Sequence, residues 1–63
     1  MKYNVYEHFT NRLVAENLSE EALGKFIAAQ AAQLNYGLFR HWEHSEKKFY
    51  DCGPVIYYAK VVK

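Results

Sequence analysis

Cysteine and proline occur once each and glycine three times in this chain of 63 residues, and each scarcity removes a class of protein. A lone Cys52 rules out an intrachain disulfide and with it the stapled, secreted mini-proteins, and it fits a reducing, cytoplasmic setting. With a single Pro54, placed beside Gly53, there is no linker, internal repeat or low-complexity tract, so residues 1–63 read as one small domain. Long apolar runs are missing too. The longest stretch free of charged residues, Phe26 to Phe39, is interrupted by Gln30, Gln33 and Asn35 and is too short to span a bilayer. The first residues reach Glu7, His8 and Arg12 without an apolar h-region, so no signal peptide and no membrane contact are expected. Charge of one sign is also lacking: eight Lys and Arg meet seven Asp and Glu, for a formal net charge of +1.

What the chain has is apolar and aromatic mass. Hydrophobic residues make up 51% and aromatic residues 17%, a composition that excludes disorder and predicts a fold. The margin is thin, because a domain of about 60 residues buries only roughly 60% of the surface its unfolded chain exposes. Six Tyr, four Phe and one Trp are more large rings than so small a core can hide. The surplus is expected on the outside.

Period-two alternation from Tyr3 to Phe9, with Tyr3, Val5 and Phe9 on one side, predicts a first strand. Thr10-Asn11-Arg12 offers a turn with Asn11 left-handed, and Leu13 to Asn17 returns as a second strand of open register. Ser19 can cap a helix whose first turn carries Glu20 and Glu21, with Leu18 and Leu23 forming a hydrophobic staple across the cap. Leu23, Phe26, Ile27, Gln30 and Leu34 then form the stripe that faces a sheet, and the helix ends near Asn35, with Gly37 as a left-handed exit. Leu38 to His44 alternates again. A tight turn at Ser45-Glu46 sets Arg40 opposite Asp51, Trp42 opposite Phe49 and Glu43 opposite Lys48, three matches that a one-residue slip would lose. Val55 to Val62 forms the last strand. The fold class is therefore α+β: an antiparallel sheet of four to five strands with one helix on one face, ordered ββαββ or ββαβββ.

Candidate chemistry is sparse. His41, His44 and Cys52, with His8 more distant, are the residue types that hold zinc, yet on a strand His41 and His44 point to opposite faces and cannot share a tetrahedral ion without a bulge. A nucleophilic Cys52 would need a histidine, and the hairpin register puts it opposite Phe39. A chain this short can hardly enclose a substrate pocket of ~300 Å³ or more. No enzyme activity, cofactor or metal is expected.

Macromolecular binding is the remaining class. Lys47, Lys48, Lys60 and Lys63 lie among Trp42, Phe49, Tyr50, Tyr57 and Tyr58, a mixture that could stack single-stranded nucleic acid, but the near-neutral charge argues against a phosphate-tracking groove. Tyrosine and tryptophan are the residues of protein interfaces, and adjacent Tyr57 and Tyr58 must present one ring to each face of their strand. Tyr6, Tyr50 and His41 are expected on the face opposite the core, and Tyr6, Trp42, Tyr50, Tyr57 and Tyr58 are the expected anchors for a larger host protein. The alanine-rich back of the helix, Ala22, Ala29 and Ala32, offers a second surface, suited to a homodimer. In size and layout the chain is similar to small phage and mobile-element products that act as inhibitors or adaptors of a host protein. That likeness is one of plan, not of residues.

Overall fold

The structure is a computed structural model that describes residues 1–35 and 40–62. Strands β1 (Lys2–Glu7) and β2 (Leu13–Ser19) are followed by helix α1 (Glu20–Gln33) and by strands β3 (Arg40–His44), β4 (Lys47–Asp51) and β5 (Ile56–Val61). All neighbours pair antiparallel in the order β2-β1-β5-β4-β3, so the last strand of the chain is the middle of the sheet. The fold is α+β, with the plan ββαβββ.

The helix begins where its cap chemistry dictates. Ser19 is extended at φ −66° and ψ 165°, and its hydroxyl accepts from the Ala22 amide at 3.1 Å, satisfying one of the donors that a helix start leaves free. Glu20 serves two ends: it sits in the first turn, where the helix dipole favours a carboxylate, and it reaches to 3.7 Å from the Lys48 ammonium of β4. Leu23, Ile27 and Ala31 are buried against Tyr3, Val5, Cys52, Tyr57 and Ala59, and Leu18, Phe26 and Leu34 close the cluster's sides. Gln30, the one polar residue of the stripe, accepts from the Tyr57 hydroxyl at 3.2 Å. The left-handed exit is made by Asn35, at φ 62°; Gly37 and Phe39 lie outside the described residues.

The second hairpin has the register that its charges and rings require: Arg40 faces Asp51, Trp42 faces Phe49 and Glu43 faces Lys48. Its turn is the tight, right-twisting kind with both central residues at positive φ, Ser45 at 52° and Glu46 at 64°. Neither is a residue that adopts this region freely, and each carries a penalty of about 1 kcal/mol that asparagine and glycine largely avoid. The double variant Ser45→Asn, Glu46→Gly is expected to gain about 1 kcal/mol once the extra backbone entropy that glycine loses on folding is set against the relieved strain, raising the thermal midpoint by roughly 4–8 °C. An unchanged or lower midpoint in a circular-dichroism melt would show that the turn stores no such strain.

The first hairpin differs from expectation at its tip. β1 stops at Glu7, where the backbone turns through His8 to Arg12 with Asn11 left-handed at φ 59°. Phe9 therefore leaves the alternation before it can join the core, and it is 68% exposed. β2 runs through Ser19 but pairs irregularly, with register shifts on both sides of Val5. Asn17 sits at φ 58°, and its amide donates to the Asn4 side chain at 2.9 Å. A left-handed residue inside a strand turns the backbone out of the ladder, which is why this register could not be read from the sequence.

Candidate functional site

Pairing partners share a face, so the ladder assigns every side chain to one side of the sheet. Val5 faces Ala59, Ala59 faces Lys48 and Lys48 faces Glu43; Tyr57 faces Tyr50, which faces His41. Val5, Ala59 and Tyr57 belong to the cluster under α1, so Tyr50 and His41 lie on the helix side, not on the open face where the sequence reading put them. Alternation fixes which residues share a face, but not which set meets the helix. That choice is made by the central strand β5, whose pairing is not local.

The opposite face carries an aromatic row that crosses four adjacent strands. Tyr6 on β1 stacks on Tyr58 of β5, with centroids 5.1 Å apart and planes 18° from parallel; Tyr58 lies 5.8 Å from Phe49 of β4; and Phe49 stacks on Trp42 of β3 at 5.2 Å and 6°. His8 meets the row edge-on, 5.5 Å from Phe49 and 6.2 Å from Tyr58. Two cations complete it, Arg40 at 4.8 Å from the Trp42 ring and Lys47 at 4.8 Å from the Tyr58 ring, each a favourable contact with the electron-rich ring face. Arg40 is also held by Asp51 at 3.3 Å. Lys47 stands directly opposite Lys60, a like-charge pair that the ladder carries at some cost.

This row is partly a second core. Tyr58 is 7% and Phe49 9% exposed, although no described element lies over them and neither belongs to the cluster beneath the helix. The neighbouring rings and the cation stems do the covering. The Tyr58 hydroxyl, which would otherwise lose its water partners, donates to Asn11 in the β1–β2 turn at 2.9 Å. Tyr6 and Trp42, at the two ends of the row, are half-buried.

The expected anchors thus separate into groups. Tyr6, Trp42 and Tyr58 are brought together; Tyr57 is buried beneath α1, edge-on to Phe26 at 6.3 Å, and Tyr50 is half-buried on the helix side beside His41. Phe49, His8, Arg40 and Lys47 were missed as members. The matched Trp42–Phe49 pair in the hairpin register was the available signal for Phe49, whereas His8 and Asn11 enter from a turn that no periodicity describes. Lys48 is on the helix side, its ammonium 4.9 Å from the Tyr3 ring, and Lys63 lies outside the described residues. Of the alanines on the helix, Ala29 and Ala32 are exposed and Ala22 is half-buried.

No protein-family model, curated protein or solved structure matches this chain. Among the described residues no three His, Cys, Asp or Glu side chains come together as metal ligands would, and no helix is long and apolar enough to cross a membrane. Cys52 is fully buried, and burial, with Asp51 beside it, pushes its thiol above the ordinary value, the opposite of what a nucleophile needs.

Proposed function

We propose that this chain is a non-enzymatic binding module, an inhibitor or adaptor, that docks its helix-free sheet face onto a larger protein. The observation that carries the reading is the aromatic row Tyr6–Tyr58–Phe49–Trp42, laid across four strands of a face that no described element covers. Phe49 and Tyr58 make the face rigid. Tyr6 and Trp42, with exposed Phe9 at the rim, supply the large amphipathic side chains that act as interface hot spots.

A second reading, stacking of single-stranded nucleic acid, draws on Arg40 and Lys47. Ring orientation weighs against it. Near-parallel rings about 5 Å apart cannot lie side by side in one plane, so each stacked pair presses ring face to ring face, and the two cations occupy more of the same π surface. Base stacking requires ring faces that are free.

The test is capture from nuclease-treated cytosolic extract followed by affinity measurement on the retained protein. One protein should be held in stoichiometric amount, and Trp42→Ala should weaken it by about tenfold or more, equivalent to roughly 1.4 kcal/mol, while the far-ultraviolet spectrum stays unchanged. Equal affinity in Trp42→Ala and Tyr6→Ala would remove the face from the interface. Tight binding of oligothymidylate that collapses as salt rises would replace the reading with the second one.

A further inference from the structure

The sheet ends in two edges of different character. β2 is blunted by its register shifts and by left-handed Asn17, the kind of irregularity that keeps an edge from recruiting another strand. β3 has no such device: its five residues pair with β4 without a break, and among the described residues no strand lies beyond it. Its hydrogen-bonding parity follows from the turn. The residues flanking a two-residue turn are bonded to each other, so His44, and by alternation Trp42 and Arg40, direct their backbone groups to β4, leaving those of His41 and Glu43 pointing outward.

We infer that β3 pairs antiparallel with β3 of a second copy, about a two-fold axis through Trp42, to give a continuous ten-stranded sheet. The sequence of the strand, Arg40-His41-Trp42-Glu43-His44, is complementary to itself over its three central residues in this register, with Arg40 facing His44 of the second copy at the two ends. Both outward-bonding residues meet outward-bonding residues, His41 opposite Glu43 of the second copy and the reverse, so all four outward backbone pairs are satisfied together. Imidazole meets carboxylate at both of these positions. Trp42 meets Trp42 at the closer-spaced, non-bonded pair, where large side chains gain most. The two aromatic rows then join end to end on one face. A register moved by one residue in either direction would set an outward-bonding residue against one whose groups already point to β4. The contact is isologous and closes on itself, so it yields a dimer and not a fibre. This edge shares Trp42 with the proposed docking face, but its test varies His41 and Glu43, which lie on the helix side, so either can fail without the other.

Sedimentation equilibrium of the full chain tests it. Mass should rise from 7.4 kDa towards twice that value as concentration increases from about 10 µM to 1 mM, the affinity range open to a short strand pair. Glu43→Pro removes an outward amide and no bond to β4, a position where an edge strand accepts proline, and should stay monomeric throughout. Glu43→Lys should raise the dissociation constant about tenfold or more, and His41→Glu combined with Glu43→Lys should restore it to within about threefold, since the swapped charges face each other again. The charge pair decides the matter if the proline variant fails to fold. A wild-type chain that remains monomeric at 1 mM, a folded Glu43→Pro variant that still dimerises, or a charge swap that restores nothing would overturn the inference.

Discussion

Phe49→Ala is expected to lower the stability of the fold by roughly 3–5 kcal/mol, the usual cost of emptying a phenylalanine site in a packed core. That is as much as a single core rarely exceeds in a chain of this size, so the variant should be largely unfolded at 25 °C. The size of the effect follows from where Phe49 sits. It touches Trp42, Tyr58 and His8, and it is buried on the face without a helix. If that face were an ordinary solvated surface, the same truncation would cost well under 1 kcal/mol. Trp42→Ala is the internal control: at the end of the row and half-buried, it should cost distinctly less than Phe49→Ala. Urea denaturation of both variants measures the difference. A loss below about 1 kcal/mol for Phe49→Ala would mean that the aromatic row adds little to stability and that the helix-side cluster alone holds the sheet.

How far the sequence reaches can be judged element by element. Three features set by residues close along the chain are read correctly. Ser19 caps the helix, Asn11 is left-handed, and the β3–β4 register follows from three side-chain matches. The face assignments fail where the deciding contact is distant. Tyr50 and His41 were assigned to the wrong face because the parity of β3 and β4 relative to the helix is transmitted through β5, which returns from the end of the chain to the middle of the sheet. Phe9 was placed on the side of Tyr3 and Val5 because alternation has no means of saying where a strand stops; the turn closed by the Asn11 amide bonding to Glu7, with Asn11 left-handed, sets that limit. The number of rings was legible, but the expected surplus on the outside is not found: among the described Tyr, Phe and Trp residues only Phe9 is exposed. Composition counts rings, whereas their burial on the open face depends on cross-strand stacking and on Asn11 accepting the Tyr58 hydroxyl. The candidate site was accordingly half visible, with Tyr6, Trp42 and Tyr58 named and the residues that lock them in place missed.

Cys52 makes the stability of this fold measurable through chemistry. It lies immediately after β4 within the helix-side cluster, with no exposed surface, and its amide is bonded to the Val55 carbonyl at 3.0 Å. A thiol must become an accessible thiolate to react with iodoacetamide. Both requirements fail here, because burial blocks approach and also disfavours the charged form. Alkylation should therefore proceed only through opened molecules. With roughly 4 kcal/mol of stability the open fraction is about one in a thousand, so the folded chain should react roughly a thousandfold more slowly than the urea-unfolded chain at the same pH. Phe49→Ala should erase most of that protection even though Phe49 lies on the other face of the sheet, because the two layers share β4 and β5. The sign of the pH dependence is also fixed. Burial raises the pKa of Cys52, Tyr57 and Tyr50 alike, so above about pH 9 the unfolded chain releases protons that the folded chain retains. The stability these groups contribute should be fully present below that point and be lost as pH climbs from about 9 through 11, with protection of Cys52 falling in step. Rapid alkylation of the native chain at pH 8, at a rate near that of the unfolded one, would place the thiol at the surface and break the account of the helix-side core on which the face assignments depend.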